Sequence, residues 1–147
     1  MIKAARFTVI PQSDNGITLP DSNGSNDAHF QGFRAPHIDS KSHSVLAFRV
    51  NPKGVKPVTL RVRLQNSNAN TVLLEVNFTS DPQRSWHEII PPGALAADDN
   101  ELIVSVTGPG SLQVSDFVFF YEANIPQSAN PDLTVPGSPT DGPVNPN

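Results

Sequence analysis

Metal coordination is the first chemistry that the residue types allow, in a polar segment near the start of the sequence. Carboxylate and amide side chains recur there at Asp14, Asp21, Asn23 and Asp27, and Ca²⁺ prefers oxygen ligands of this kind. The segment does not follow the EF-hand order, because Gly32 stands where that motif has a bidentate glutamate. We expect either a structural Ca²⁺ or an Asx-rich turn, in which such side chains bond to nearby backbone amides.

Recognisable catalytic motifs are absent from the sequence. It contains no GxSxG nucleophile turn, no HExxH helix, no P-loop and no Gly-rich dinucleotide turn. The four histidines lack the spacing of a zinc site; they are His29, His37, His43 and His87. Cysteine is also absent, so neither disulfides nor thiolate ligands are available. We therefore expect no enzymatic activity and no cofactor apart from the Ca²⁺.

Carbohydrate binding is the next chemistry to consider, because sugar rings stack on exposed Trp and Tyr side chains. The sequence has one of each, Trp86 and Tyr121. Both lie within apolar runs, which favours a place in the core or in an interface. A role as a sugar platform is the alternative.

Charge is unevenly distributed along the chain. All ten Lys and Arg residues lie at or before Arg84 with six acids, which gives +4, and from Ser85 onward eight acids and no base give −8. Either strands distant in sequence neutralise one another within one fold, or an acidic surface of one subunit meets a basic surface of the next.

Arg61 and Arg63 are the candidate cations for contact with a partner. The segment Val58 to Gln65 alternates apolar and polar residues, which predicts a strand with both arginines on its outer face. They are expected to meet the acidic part of a neighbouring protein subunit, or to pair with Glu75 on an adjacent strand. Nucleic acid is not expected as the partner, because no aromatic residues interleave with these cations.

The chain is organised around Asn100 to Glu122, where two apolar runs flank Gly108-Pro109-Gly110. This pattern predicts a β-hairpin. In its second run Phe117, Phe119 and Tyr121 are out of phase with Leu112 and Val114. A β-bulge near Ser115-Asp116 would bring both sets to one face, and burial of the strand on both faces is the alternative.

Other segments have the composition and alternation of short strands, and no stretch has a sustained helical period. These segments are Ala5 to Ile10, His29 to Phe33, Val45 to Val50, Val58 to Gln65, Val72 to Phe78 and Trp86 to Ile90. In the segment from Val72 to Phe78, the alternation predicts that Val72, Leu74, Val76 and Phe78 face inward. The sequence therefore predicts an all-β fold, a jelly-roll-type antiparallel β-sandwich of about seven or eight strands spanning residues 1–123.

Residues 124–147 form a separate region that contains six prolines. Such a composition predicts an extended arm that becomes ordered against a surface. The candidate docking residues in the arm are Pro126, Pro131, Pro136 and Pro139. The sequence shows neither a secretory leader nor a membrane span, so we expect synthesis in the cytoplasm. The protein could still become part of a virion or another extracellular particle.

The order of residues from Trp86 to Glu122 resembles the closing strands of galactose-binding-like jelly rolls. The pattern includes Ile89-Ile90-Pro91, Asn100 at a turn, Gly108-Pro109-Gly110 and Asp116 before Phe117 to Tyr121. That superfamily includes many carbohydrate-binding modules, so the resemblance implies the fold and makes glycans candidate ligands.

Two functions follow from these patterns. The first is a non-enzymatic subunit of a larger assembly, such as a phage-like virion, tail or surface appendage, which binds copies of itself or other subunits through its arm and charged sheet face. The second is a carbohydrate-binding module for cell-surface glycans.

Overall fold

A computed structural model describes residues 2–80 and 82–126, and within them the chain forms two antiparallel β-sheets that pack face to face. The first sheet has the order β1-β9-β4-β7, and β2 pairs with the first part of β9. The second sheet has the order β3-β8-β5-β6. The strands are β1 Ile2–Val9, β2 Ile17–Leu19, β3 Asp27–Phe33, β4 Ser44–Lys53, β5 Val58–Gln65, β6 Asn70–Phe78, β7 Arg84–Ile90, β8 Asn100–Thr107 and β9 Ser111–Ile125, with a 3₁₀ turn at Pro11–Ser13.

This architecture confirms the predicted antiparallel β-sandwich. Nine strands lie in the described ranges, and the strand that the sequence did not predict is β2. The predicted arm begins inside β9, which continues to Ile125. Pro126 is exposed at the end of that strand. Pro131, Pro136 and Pro139 lie outside the described residues, so docking through the arm stays a prediction. No helix in the described ranges is long and apolar enough to cross a membrane.

The predicted β-hairpin is wrong. β8 pairs with β3 and β5 in the four-stranded sheet, whereas β9 pairs with β1, β2 and β4 in the five-stranded sheet. Gly108-Pro109-Gly110 therefore carries the chain from one sheet to the other. The alternation of apolar residues cannot distinguish a hairpin from a crossing between sheets, because both would place Leu102 and Leu112 in the interior. Both side chains are indeed fully buried.

At the crossing, Gly110 lies directly against the loop between β4 and β5. A Cβ atom on Gly110 would collide with the backbone carbonyl oxygen of Val55. We expect Gly110→Ala to lower the free energy of unfolding by about 3 kcal/mol, since backbone atoms would have to move apart. Urea denaturation would measure the loss. Gly24→Ala is the matched control, because a Cβ there meets nothing within 4 Å, and only its positive φ should cost about 1 kcal/mol. Equal losses would contradict the steric explanation.

The β-bulge predicted in β9 is confirmed. Ala47 pairs with Val118 and Arg49 pairs with Ser115, so the residue between them on β4 faces two residues of β9. One of the two, Asp116, has a φ of 58°, as the extra residue of a bulge often does. The shift brings the aromatic residues after the bulge onto the same buried face as Leu112 and Val114; they are Phe117, Phe119 and Tyr121.

A second bulge, in β6, contradicts one expectation about its inner face. Val62 pairs with Leu74, but Arg63 pairs with Val72, so Leu73 is the additional residue. Leu73 is buried and Val72 is 46% exposed. Val72 therefore points outward beside Arg63, and not into the core as the alternation predicted.

Candidate functional site

The outer face of the five-stranded sheet divides into an apolar zone and a polar zone. In the first zone two rows of apolar side chains cross the strands. We call this zone the apolar stripe; its members are Phe7, Val9, Val45, Ile89, Val118 and Phe120. Further along β4 and β9 the outward residues become polar, and loops rise on two sides to form a hollow. We call it the polar groove; its polar lining residues are Asp14, Asn15, Arg49, Asn51, Gln83, Gln113 and Ser115.

Two neighbouring strands form the floor of the polar groove. On β4, Arg49 and Asn51 face outward because the residues between and beside them are buried. Their register partners on β9 are Ser115 and Gln113. The bulge begins immediately after Ser115, so the groove lies on the side of the bulge away from the apolar stripe. Four polar side chains from two strands thus share one surface.

The loop after the 3₁₀ turn forms one wall of the groove, and the bulge holds it in place. Ser13 is fully buried. Its Oγ donates a hydrogen bond to the carbonyl oxygen of Ile10 at 2.7 Å and accepts one from the backbone N–H of Phe117 at 2.9 Å. Gly16 continues the loop so close to β9 that a Cβ on it would lie 3.1 Å from the side-chain nitrogen of Gln113. These contacts fix Asp14 at the edge of the groove.

The groove offers a dense set of hydrogen-bonding groups and a balanced charge. Its volume is about 140 Å³, and an adjoining hollow of about 360 Å³ shares Arg49 and Gln83 with it. Amides both donate and accept, Asp14 accepts and Arg49 donates in a fixed fork. Because Asp14 and Arg49 carry opposite charges, the set is suited to an uncharged ligand with many hydroxyl groups. The adjoining hollow allows that ligand to extend toward β7.

Arg61 and Arg63 lie on the opposite side of the molecule, on the outer face of the four-stranded sheet. Arg61 is aligned with Glu75 of β6 and, on its other side, with Ser105 of β8. Glu101 of β8 also faces outward there; its pKa lies below its usual value, mainly through the hydrogen bond from His29 and to a smaller extent through the charge of Arg63. Acids from both halves of the sequence therefore lie near these arginines. Binding of a protein partner by Arg61 and Arg63 stays a prediction.

The same face contains an imidazole–carboxylate contact. His29 Nδ1 lies 2.7 Å from Glu101 Oε2, and Gln31 donates a hydrogen bond to that oxygen at 3.3 Å. The hydrogen bond from His29 is the largest cause of the lowered pKa of Glu101. The contact cross-links β3 and β8, and its groups are already paired with one another.

Trp86 and Tyr121 do not line the groove. Trp86 is aligned with the buried Phe48 on the core side of the sheet. Its ring packs edge-on against Phe78 at 6.1 Å, and its indole N–H donates to Glu88 at 3.1 Å. Trp86 is thus half-buried, whereas Tyr121 is buried in the core, and this burial raises the pKa of its hydroxyl. Sugar binding by these two residues stays a prediction.

The residues proposed for Ca²⁺ have separate surroundings. Asp21 Oδ1 accepts hydrogen bonds from the backbone N–H groups of Asn23 at 2.9 Å and Ser25 at 2.8 Å, which is an Asx-type turn. Asp14 lines the polar groove, and Asp27 begins β3. In residues 2–80 and 82–126 no three His, Asp or Glu side chains form a group that could hold a metal ion. Calcium binding with help from amide or backbone oxygens stays a prediction.

The polar groove is the part of the site that the sequence reasoning missed. It carries no motif, because its residues come from two loops and two strands that are far apart in sequence. One signal was available in β4, where the outward residues change from Val45 and Ala47 to Arg49 and Asn51. A change of this kind along one face of a strand marks the boundary between two surfaces.

Sequence comparison found no matching family model and no matching curated protein. Comparison of structures found a crystal structure of the N-terminal endo-1,4-β-D-xylanase 10B of Clostridium thermocellum, its CBM22-1 and GH10 modules complexed with xylohexaose. The identity is 12%, the TM-score is 0.52, and the match covers 87% of this chain but 27% of that one. A second structure, TmCBM61 in complex with β-1,4-galactotriose, is 14% identical over 80% of this chain and 88% of the other, with a TM-score of 0.46.

The first of these structures agrees with the β-sandwich fold that the residues from Trp86 to Glu122 indicated. The chain has a β-sandwich fold like that found among carbohydrate-binding module structures. It spans about a quarter of the length of the xylanase chain. This similarity concerns the fold and does not identify a ligand.

Proposed function

We propose that the protein is a non-catalytic module that binds an uncharged oligosaccharide in the polar groove. The observation that carries this proposal is the meeting of Asp14, Arg49, Asn51, Gln83 and Gln113 around one hollow on the outer face of a sheet. Each sugar ring presents several hydroxyl groups, each of which both donates and accepts. Carboxylate, guanidinium and amide groups can bond to two neighbouring hydroxyls at once.

The shape of the site supports an oligosaccharide over a single sugar. The groove and its adjoining hollow share Arg49 and Gln83 and run from the loop at Asp14 toward Ser85 on β7. An elongated ligand could therefore contact both. Among the structural neighbours, the xylanase was crystallised with xylohexaose, which makes β-linked xylose oligomers the first ligands to test here.

Binding should depend on Arg49, because this side chain lines both hollows. We expect Arg49→Ala and Gln113→Ala each to weaken glycan binding about tenfold or more, since a hydrogen bond to a charged or desolvated group is worth about 1.5 kcal/mol or more. A glycan array on the full chain would identify the ligand, and titration calorimetry would measure the change in Kd.

Arg61→Ala is the matched control, because it removes the same side chain from the outer face of the other sheet. It should leave Kd unchanged. The proposal is wrong if no glycan binds, or if Arg61→Ala weakens binding as much as Arg49→Ala does.

A second candidate function is that of a subunit in a larger assembly, such as a virion or a surface appendage. The observation that favours it is the apolar stripe, in which Phe7 is 66% exposed and Ile89 is 67% exposed. Exposed apolar side chains that adjoin one another are typical of surfaces that bind other proteins. This function is compatible with glycan binding, because the stripe and the groove occupy different parts of the sheet.

A further inference from the structure

We propose that two copies of this chain associate through the apolar stripe, with the five-stranded sheet of one packed against that of the other. The stripe lies on the outside of the sandwich, so the core of its own chain cannot cover it. Phe7 and Ile89 are exposed by 66% and 67%, and Phe120 and Val9 by 47% and 40%. The stripe is therefore a large apolar surface that the described part of the chain leaves uncovered.

The strand register makes the stripe continuous. Phe120 pairs with Phe7 on one side and with Val45 on the other, and Val45 pairs with Ile89. One row of apolar side chains therefore crosses all four strands from β1 to β7. The centres of the Phe7 and Phe120 rings are 6.4 Å apart, so the aromatic end of the row is a single surface. Val9 and Val118 form the next row beside it.

The area of the stripe fits an interface of ordinary size. A phenylalanine side chain contributes about 150–250 Å² when fully buried, so the four most exposed side chains together offer on the order of 400 Å². A stable interface buries about 800 Å² on each partner, of which somewhat more than half is apolar. The stripe would supply most of that apolar part, and polar residues around it would supply the rest.

A second copy of this chain is the favoured partner for the apolar stripe, because the row of side chains from Phe7 to Ile89 is complementary to itself. Its β1 end is aromatic, with Phe7 and Phe120, and its β7 end is aliphatic, with Val45 and Ile89. A two-fold axis parallel to the strands lays the aromatic half of each row over the aliphatic half of the other. The six members of the stripe carry no charge, so they offer nothing to an acidic peptide or to nucleic acid.

The same axis has a consequence for the polar groove. Arg49 and Asn51 lie two and four residues beyond Ala47 along β4, which corresponds to about 7 and 13 Å. The groove therefore lies at the margin of the proposed interface. Because rotation about an axis parallel to the strands keeps the ends of the sheet aligned, both grooves of the dimer would open at the same end.

Sedimentation velocity of the full chain tests the proposal. The unmodified protein should show a dimer as its concentration is raised to about 1 mM. At that concentration even a millimolar Kd gives a detectable fraction of dimer. Ile89→Lys should raise the dimer Kd about 100-fold or more, because two unpaired charges would be buried. Phe7→Ser should also weaken the dimer and serves as a second variant if the first does not fold.

Val72→Lys is the matched control, since Val72 is an exposed valine on the outer face of the other sheet, and it should leave the dimer intact. A monomeric unmodified protein at 1 mM, or a dimer unaffected by both stripe variants, would overturn the proposal. A monomer whose Phe120 resonances shift on addition of a glycan would assign the stripe to sugar stacking, and would overturn it as well. Glycan binding at the polar groove can succeed or fail independently, because Arg49→Ala leaves the stripe unchanged.

Discussion

Asn100→Ala is expected to lower the free energy of unfolding by about 4 kcal/mol. The Asn100 side chain is fully buried and forms four hydrogen bonds. Its oxygen accepts from the backbone N–H of Ala96 at 2.9 Å and from the amide of Asn66 at 3.0 Å. Its nitrogen donates to the carbonyl oxygens of Ala96 at 2.7 Å and Phe33 at 3.1 Å. Alanine cannot replace any of these bonds.

The size of this loss follows from the groups left behind. A buried polar group that loses its partner costs about 1–3 kcal/mol, and Ala96 would lose a partner at both its N–H and its carbonyl group. The side-chain nitrogen of Asn66 would keep its other bond, to the carbonyl oxygen of Ala94 at 2.8 Å. The bonds of Asn100 also anchor the segment between β7 and β8 to β3, so we expect that segment to loosen in the variant.

Urea denaturation followed by circular dichroism would measure the effect of Asn100→Ala. Asn70→Ala, an exposed asparagine at the start of β6, is the matched control and should change the free energy of unfolding by about 0.5 kcal/mol or less. A loss below about 1 kcal/mol for Asn100→Ala would show that water or a rearrangement replaces the four bonds.

Phe117→Ala should also cost about 4 kcal/mol, here through a cavity in the core. Phe117 is fully buried. Its ring centre lies 4.8 Å from that of Phe48 in a stacked pair and 6.0 Å from that of Phe30, which belongs to the other sheet. The ring therefore connects the two sheets at the centre of the sandwich. Removing it would leave the rings of Phe48 and Phe30 without this packing partner.

Phe117→Leu provides the comparison that separates cavity formation from loss of the aromatic ring. Leucine refills most of the volume and should cost about 1.5 kcal/mol. Thermal and urea denaturation of both variants would test the difference. If leucine and alanine destabilise the protein equally, the cavity is not the cause of the loss.

The sequence was most informative where a pattern depends on neighbouring residues. Val58 to Gln65 alternates without interruption, and it forms β5 with the predicted faces. The bulge near Asp116 was predictable because a change of phase within one apolar run has few explanations. Val72 was misplaced because the bulge at Leu73 lies between two apolar residues, where no change of phase is visible.

Pairings between distant segments were not predictable from these patterns. Gly108-Pro109-Gly110 suits a hairpin turn, but the pairing of β8 and β9 with different sheets, and the close contact of Gly110 with Val55, depend on the finished fold. The polar groove likewise depends on pairings between distant segments. Asp14 and Gln83 reach it only because β2 and β9 pair in one sheet and β7 closes the edge of that sheet.

Residue type alone does not show which side chains line the polar groove. The apolar run around Trp86 favours a place in the core over a sugar platform, and the position of Trp86 beside Phe48, packed against the core, agrees with that expectation. Arg49, which lines both hollows, and Arg61 both lie in predicted strands, and the change from apolar to polar outward residues at Arg49 marks a boundary on β4 without identifying a groove. The two arginines are distinguished by the loops that surround Arg49.

The most direct test of the proposed function is to titrate the isotopically labelled full chain with the glycan selected by the array, beginning with xylohexaose, and to record backbone amide NMR shifts. The account predicts that the shifts concentrate at Arg49, Asn51 and Gln113, and that Arg61 and Arg63 on the other sheet do not respond. Shifts confined to Arg61 and Arg63, or no response to any glycan, would contradict it.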